Sequence, residues 1–172
     1  MADQDTVRPI KTEKGGKMKN NDFDAIIEKA IANEVEANKF YLELAEIVSD
    51  KSAKDTLLYL ADEEMNHKNY LLRYRQEGFI AKATKMDEAT NYKIAELVQP
   101  PKITSNMDSK DVYLLAAARE LNSYNFYMGM AAIHPDGEIK DMLLKMANEE
   151  LKHKEKVEYL YSNTAFVQTA GG

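Results

Sequence analysis

A chain of 172 residues with 29 acidic against 23 basic side chains, a formal charge of -6, is long enough for one buried core and too short for two ordinary domains. That charge argues against nucleic-acid or anionic-membrane partners, which need a surplus of Lys and Arg. The lack of cysteine excludes disulfides, iron–sulfur clusters, thiolate metal sites and thiol nucleophiles, so any metal must sit on Glu, Asp or His.

Seven glycines and four prolines among many Ala, Leu, Glu, Lys and Met favour an all-α chain. Residues 1–20 carry mixed charge and the pair Gly15-Gly16 without the apolar core of a secretory signal, and read as a disordered polar tail. No stretch approaches the roughly 18 apolar residues of a membrane span, so a cytoplasmic protein is expected. Residues 21–163 read as one bundle domain, and 164–172 as a flexible end.

The first helical pattern, about Asp22 to Val48, places Ile27, Ile31, Tyr41, Ala45 and Val48 on one face, interrupted by Glu34. The second, about Ser52 to Glu77, has Ser52 as its expected N-cap and repeats Leu57, Leu60, Ala61, Leu71 and Tyr74, interrupted by Glu64 and His67. A crossover over 78–108 follows, with Pro100-Pro101 inside it and a short helix expected near Tyr92 to Val98. A structureless loop of that length is unusual in a compact domain, so it reads as a connection running the length of a bundle.

The third pattern, about Ser109 to Ile133, has Asp108 or Ser109 as cap, carries Glu120 within a stripe of Val112, Ala116, Tyr127 and Ala131, and stops at the breaker His134-Pro135-Asp136-Gly137. The fourth, about Glu138 to Tyr161, sets Glu150 and His153 among Leu143, Met146, Ala147, Val157 and Leu160. His134 is expected to face solvent, and the nine methionines to fill core.

All four helices thus repeat one anomaly, and the repeat is literal. Shifting the chain by 86 residues superposes Glu34 on Glu120, Phe40-Tyr41 on Phe126-Tyr127, Glu63-Glu64 on Glu149-Glu150 and His67 on His153. The chain is two copies of one helical hairpin, about 22–77 and 109–161. With 1.5 Å of rise per residue and turns near Asp50 and Pro135, the four glutamates lie 14 to 16 residues from their turns and converge on one layer. Spacing of three puts His67 beside Glu64 and His153 beside Glu150.

Four ionised carboxylates in an apolar layer cost several kcal/mol each unless compensated. Two divalent ions would balance four carboxylates, with two neutral imidazoles completing the shells. Iron and manganese suit this ligand set, and zinc also occupies it. One Glu from each of two helices plus Glu-x-x-His from each of the other two is the general pattern of two-metal helical bundles. Tyr41 and Tyr127, two turns from Glu34 and Glu120, could bond a carboxylate or pack as core. Glu63 and Glu149 project about 100° away and read as surface or subunit-contact charges.

Glu34-x6-Tyr41, Glu63-Glu64-x-x-His67, Glu120-x6-Tyr127 and Glu149-Glu150-x-x-His153 resemble the rubrerythrin branch of the ferritin-like superfamily, over about Asp22 to Tyr161. The resemblance implies a ferritin-like four-helix bundle of two duplicated hairpins around two iron ions. Glu34 and Glu120 would bind terminally or bridge, Glu64 and Glu150 would supply the other carboxylates, and His67 and His153 would each cap one metal. It further implies a non-haem di-iron oxidoreductase that reduces hydrogen peroxide or dioxygen. A homodimer is expected. Rubrerythrins often append a cysteine-ligated rubredoxin domain, which this chain lacks, so electrons are expected from a separate rubredoxin-type donor or a soluble reductant. Two other classes stay open: an iron-handling or ferroxidase-type protein, and a non-catalytic helical interaction module. The chain departs from the family three residues after Glu120, where an extra carboxylate is usual and Ser123 stands, with Ala37 at the symmetric place. A fixed ligand set and weaker peroxidase activity are the expected consequences.

Overall fold

The computed structural model describes residues 20–77 and 89–167. Its elements are α1 (Asn20–Ile47), α2 (Lys51–Glu77), the short α3 (Ile94–Leu97), α4 (Ser109–Ala132) and α5 (Glu138–Val167). Helix α1 packs along α2, and α4 along α5, so each hairpin is a unit and the two units pair into a four-helix bundle. Residues 1–19 and 168–172, parts of the expected tails, lie outside the described residues. Residues 164–167 are not a loose end but continue α5 six residues past Tyr161.

Capping chemistry explains the helix starts. The Asp50 carboxylate accepts from the Ala53 amide at 2.7 Å, so α2 begins at Lys51 with Asp50, and not Ser52, as its cap. Asp108 accepts from the Asp111 amide at 2.8 Å and starts α4. At the end of α4, His134 Nδ1–H donates to the Met130 carbonyl at 2.6 Å, an orphan acceptor of the last turn; His134 is therefore half-buried, not solvent-facing. Gly137, at φ 149°, then turns the chain into α5 in a conformation that L side chains rarely adopt.

The core falls into two clusters. One gathers Leu44, Val48, Leu57, Leu60, Val112 and Ala116 around Tyr41. The other gathers Ile27, Leu71, Met142, Leu143 and Met146 around Tyr127. Only part of the methionine complement is core, since Met128 is 38% exposed. Between the clusters lies the layer that carries Glu34, Glu64, His67, Glu120, Glu150 and His153, all buried.

The crossover returns to the end of the bundle where α1 meets α2, because Ser105 to Ser109 line one recess with Ser49 and Asp50. On the way it is clamped to α5. Lys154, fully buried, donates to Asn91 Oδ1 at 2.7 Å and meets Glu96 at 2.9 Å and the fully buried Glu158 at 2.8 Å. Glu158 also accepts from the Ala95 amide, and Glu155 from the Thr90 amide. Asn91 ties the segment further by accepting from the Lys93 amide, where the backbone turns through φ 57°.

Candidate metal centre

Each residue of the layer is delivered by a helix whose apolar stripe is interrupted at that position, so burial of the stripe forces burial of the interrupting side chain. The structure brings together all six expected residues. His67 Nδ1 stands 3.2 Å from Glu34 Oε2, 3.5 Å from Glu64 Oε2 and 3.1 Å from Glu150 Oε1. At the other end His153 Nδ1 stands 3.7 Å from Glu120 Oε2 and 3.9 Å from Glu64 Oε1. Glu34 and His67 thus form one end, and Glu120 and His153 the other. Glu64 approaches both histidines and sits between them. The imidazoles lie parallel, 5.1 Å between centroids.

The two tyrosines bond across the pseudo-two-fold axis. Tyr41 donates to Glu120 Oε1 and Tyr127 to Glu34 Oε1, so each hairpin's phenol holds the other hairpin's carboxylate. Burial, reinforced by these glutamates, pushes both phenols well above their ordinary range, and they keep their protons as donors.

One residue does more than its spacing suggested. Glu63, half-buried, brings Oε2 within 3.8 Å of His153 Nε2, close enough for attraction but too long for a hydrogen bond. Glu149 pairs with Lys152 at 3.1 Å along its own helix, as a surface charge does.

Whether this layer fits metal can be judged from its buried polar atoms. Both oxygens of Glu64, both of Glu150, Glu120 Oε2 and His153 Nδ1 have no aligned hydrogen-bond partner among the described residues. The 3.1 Å approach of His67 to Glu150 Oε1 is a proximity of charges rather than an aligned bond. Native proteins rarely leave so many buried acceptors unpaired in one place. Their lone pairs converge, and ligand atoms of Glu64, His67, Glu150 and His153 lie within 4.8 Å of one another. The cluster could hold metal ions, and its oxygen and imidazole donors suit hard or borderline divalent ones.

Without metal the charge problem is met by protons. Burial, then the charge of neighbouring glutamates, pushes the Glu64 and Glu150 carboxyls well above their ordinary value of 4.5. Burial also opposes ionisation of Glu34 and Glu120, but the nearby imidazoles of His67 and His153 respectively outweigh it, and both are held below that value. For His67, burial favours the neutral ring, yet the close carboxylates of Glu150, Glu34 and Glu64 prevail and its pKa is raised.

Glu64, Glu150 and His67 have folded values above their unfolded ones, so their contribution is complete in acid and is lost as pH rises through the folded values. The metal-free protein should therefore weaken from about pH 4.5 upward, the ordinary carboxylate value. The depressed Glu34 and Glu120 act oppositely and set the acid limit. Metal uptake should release protons, because it needs Glu64, Glu150 and His67 deprotonated and folding favours their protonated forms, and it should tighten with pH. Calorimetric titration in buffers of different ionisation enthalpy measures this, and uptake without proton release would contradict it.

A family model described as rubrerythrin matches residues 25–161, most of the chain and all six residues of the layer. The chain belongs to the rubrerythrin family. No curated protein and no solved structure gives a significant match. Among the described residues no helix is long and apolar enough to cross a membrane.

Proposed function

We infer that this chain is a non-haem di-iron oxidoreductase that reduces hydrogen peroxide, with Glu34, Glu64, His67, Glu120, Glu150 and His153 as the metal ligands. The observation that supports it most is the layer of four buried glutamates and two histidines whose unpaired atoms converge, in a chain of this family. Manganese or zinc could occupy the same donors.

Reduction of one peroxide to two waters breaks the O–O bond and takes up two electrons and two protons. A bound pair of ferrous ions would supply the electrons and the Lewis acidity for that cleavage. The protein's own residues do the rest. Glu34, Glu120, Glu64 and Glu150 fix the charge of the site, and His67 and His153 close its two ends. Tyr41 and Tyr127 hold Glu120 and Glu34 in place through protonated phenols, and the two apolar clusters keep water from the layer on both sides. With no cysteine in the chain, sustained turnover needs electrons from a separate rubredoxin-type donor or a soluble reductant.

Anaerobically reduced, iron-loaded protein should be reoxidised by one peroxide per chain, seen as growth of near-ultraviolet absorption, and should turn over repeatedly only with added reductant. Sustained peroxide consumption without reductant would replace this reading with dismutation. Uptake of many irons per chain with mineral formation would replace it with iron handling.

A further inference from the structure

The two halves of the layer are not equivalent. By the 86-residue repeat Asn33 corresponds to Arg119, and Ala37 to Ser123. These residues meet beside Glu34 and break the symmetry. Arg119 donates to Ser123 Oγ at 2.6 Å and to the Asn33 carbonyl at 3.1 Å, with a longer contact to Asn33 Oδ1 at 3.4 Å. With its carbonyl oxygen facing the guanidinium, the Asn33 amide turns Nδ2 toward Ser123 Oγ at 3.2 Å and Glu34 Oε1 at 3.1 Å. Glu34 Oε1 thereby accepts from both Tyr127 and Asn33, which leaves Oε2 turned toward His67. Glu120 receives Tyr41 on Oε1 and has no counterpart to Asn33, since that position is Arg119 itself.

The geometry points to Arg119 as a positioning residue that acts through Asn33 to lock Glu34, making the Glu34–His67 end the tighter of two unequal metal positions. This rests on the reading of the layer as a two-metal centre. Two effects of the extra donor compete. Accepting another hydrogen bond makes Glu34 a slightly poorer electron donor, but holding a ligand in its bound orientation governs affinity by about 10–100-fold, so orientation wins. A guanidinium suits the task because its planar fork reaches two acceptors at once, which a lysine cannot reproduce. Ser123 is the third corner: a carboxylate there would meet Arg119 first.

The test is titration of the metal-free full chain with cobalt(II), followed by absorption and calorimetry. Wild type should bind two ions in resolved steps at least about tenfold apart. Arg119→Met and Asn33→Ala interrupt the same chain of bonds at opposite ends. Each should weaken the Glu34–His67 position by about 10–100-fold and leave the other position within about twofold, so that the first step falls to the wild-type second step and the two merge or exchange order. Asn33→Ala retains the buried-edge guanidinium and serves if Arg119→Met fails to fold. A merely structural role would lower both steps together, and that result overturns the inference, as do two ions bound with equal affinity in wild type. Fewer than two ions in wild type would remove the metal centre and this inference with it.

Discussion

Glu64→Met is expected to abolish two-metal binding while making the metal-free protein more stable. Glu64 is the carboxylate that approaches both His67 and His153, so its loss affects both ends of the layer. Metal content should fall from about two ions per chain to one or none. The stability gain has a separate origin. Glu64 is buried with both oxygens unpaired, and folding without metal must either protonate it or bury its charge. A methionine of similar length, flanked by apolar clusters on both sides, has neither cost, and replacing buried ionic groups by packed apolar ones is neutral or stabilises by about 1–4 kcal/mol. Because the Glu64 pKa is raised on folding, the gain should be larger at pH 8 than at pH 5. Metal analysis and urea midpoints of metal-free protein at the two pH values test both halves. Equal metal content in variant and wild type would end the ligand assignment. A metal-free variant less stable than wild type would show that the layer is not held against its own electrostatics.

The layer was legible in the sequence for a physical reason: a charged residue inside an apolar stripe is costly, and four such interruptions at matching heights have few explanations. Glu34 and Glu120 were found by periodicity, His67 and His153 by spacing of three from a buried Glu, and the level of all six by helix rise alone. The crossed bonds of Tyr41 and Tyr127 were half legible. Periodicity put each phenol on a ligand face, but which glutamate it reaches depends on how the hairpins pack, which local spacing does not encode. The Asn33–Arg119–Ser123 chain was hidden for the same reason, since it joins α1 to α4 between residues far apart in sequence. Ser123 was visible only as a missing carboxylate. The start of α2 is ambiguous in the sequence because Asp50 and Ser52 can both cap, and the one whose oxygen reaches the Ala53 amide prevails.

The least legible feature carries the last large effect. Lys154 matches Lys68 under the repeat, so the sequence offers no sign that one is half-buried and the other fully buried. What differs is the crossover, which covers α5 and brings Asn91 and Glu96 over Lys154 while Glu158 approaches from one turn along the helix. Lys154→Met should destabilise the protein by about 3–5 kcal/mol, because it strands the carboxylate of Glu158 in the interior, whereas Glu96 keeps access to water. Against a typical total of about 5–15 kcal/mol this is a large fraction, visible as a shifted urea midpoint. The double variant Lys154→Met/Glu158→Met removes both charges and should recover most of the loss, since a packed apolar pair replaces a paired but desolvated one. It should not restore the crossover, whose Ala95 amide loses its acceptor. Hydrogen exchange separates the two effects: in the double variant the Ala95 amide should exchange faster than in wild type while amides of α1 and α2 stay protected. A double variant as unstable as the single one would show that Glu158 is not the stranded group. Unchanged exchange at Ala95 would show that the crossover is held by contacts other than this clamp.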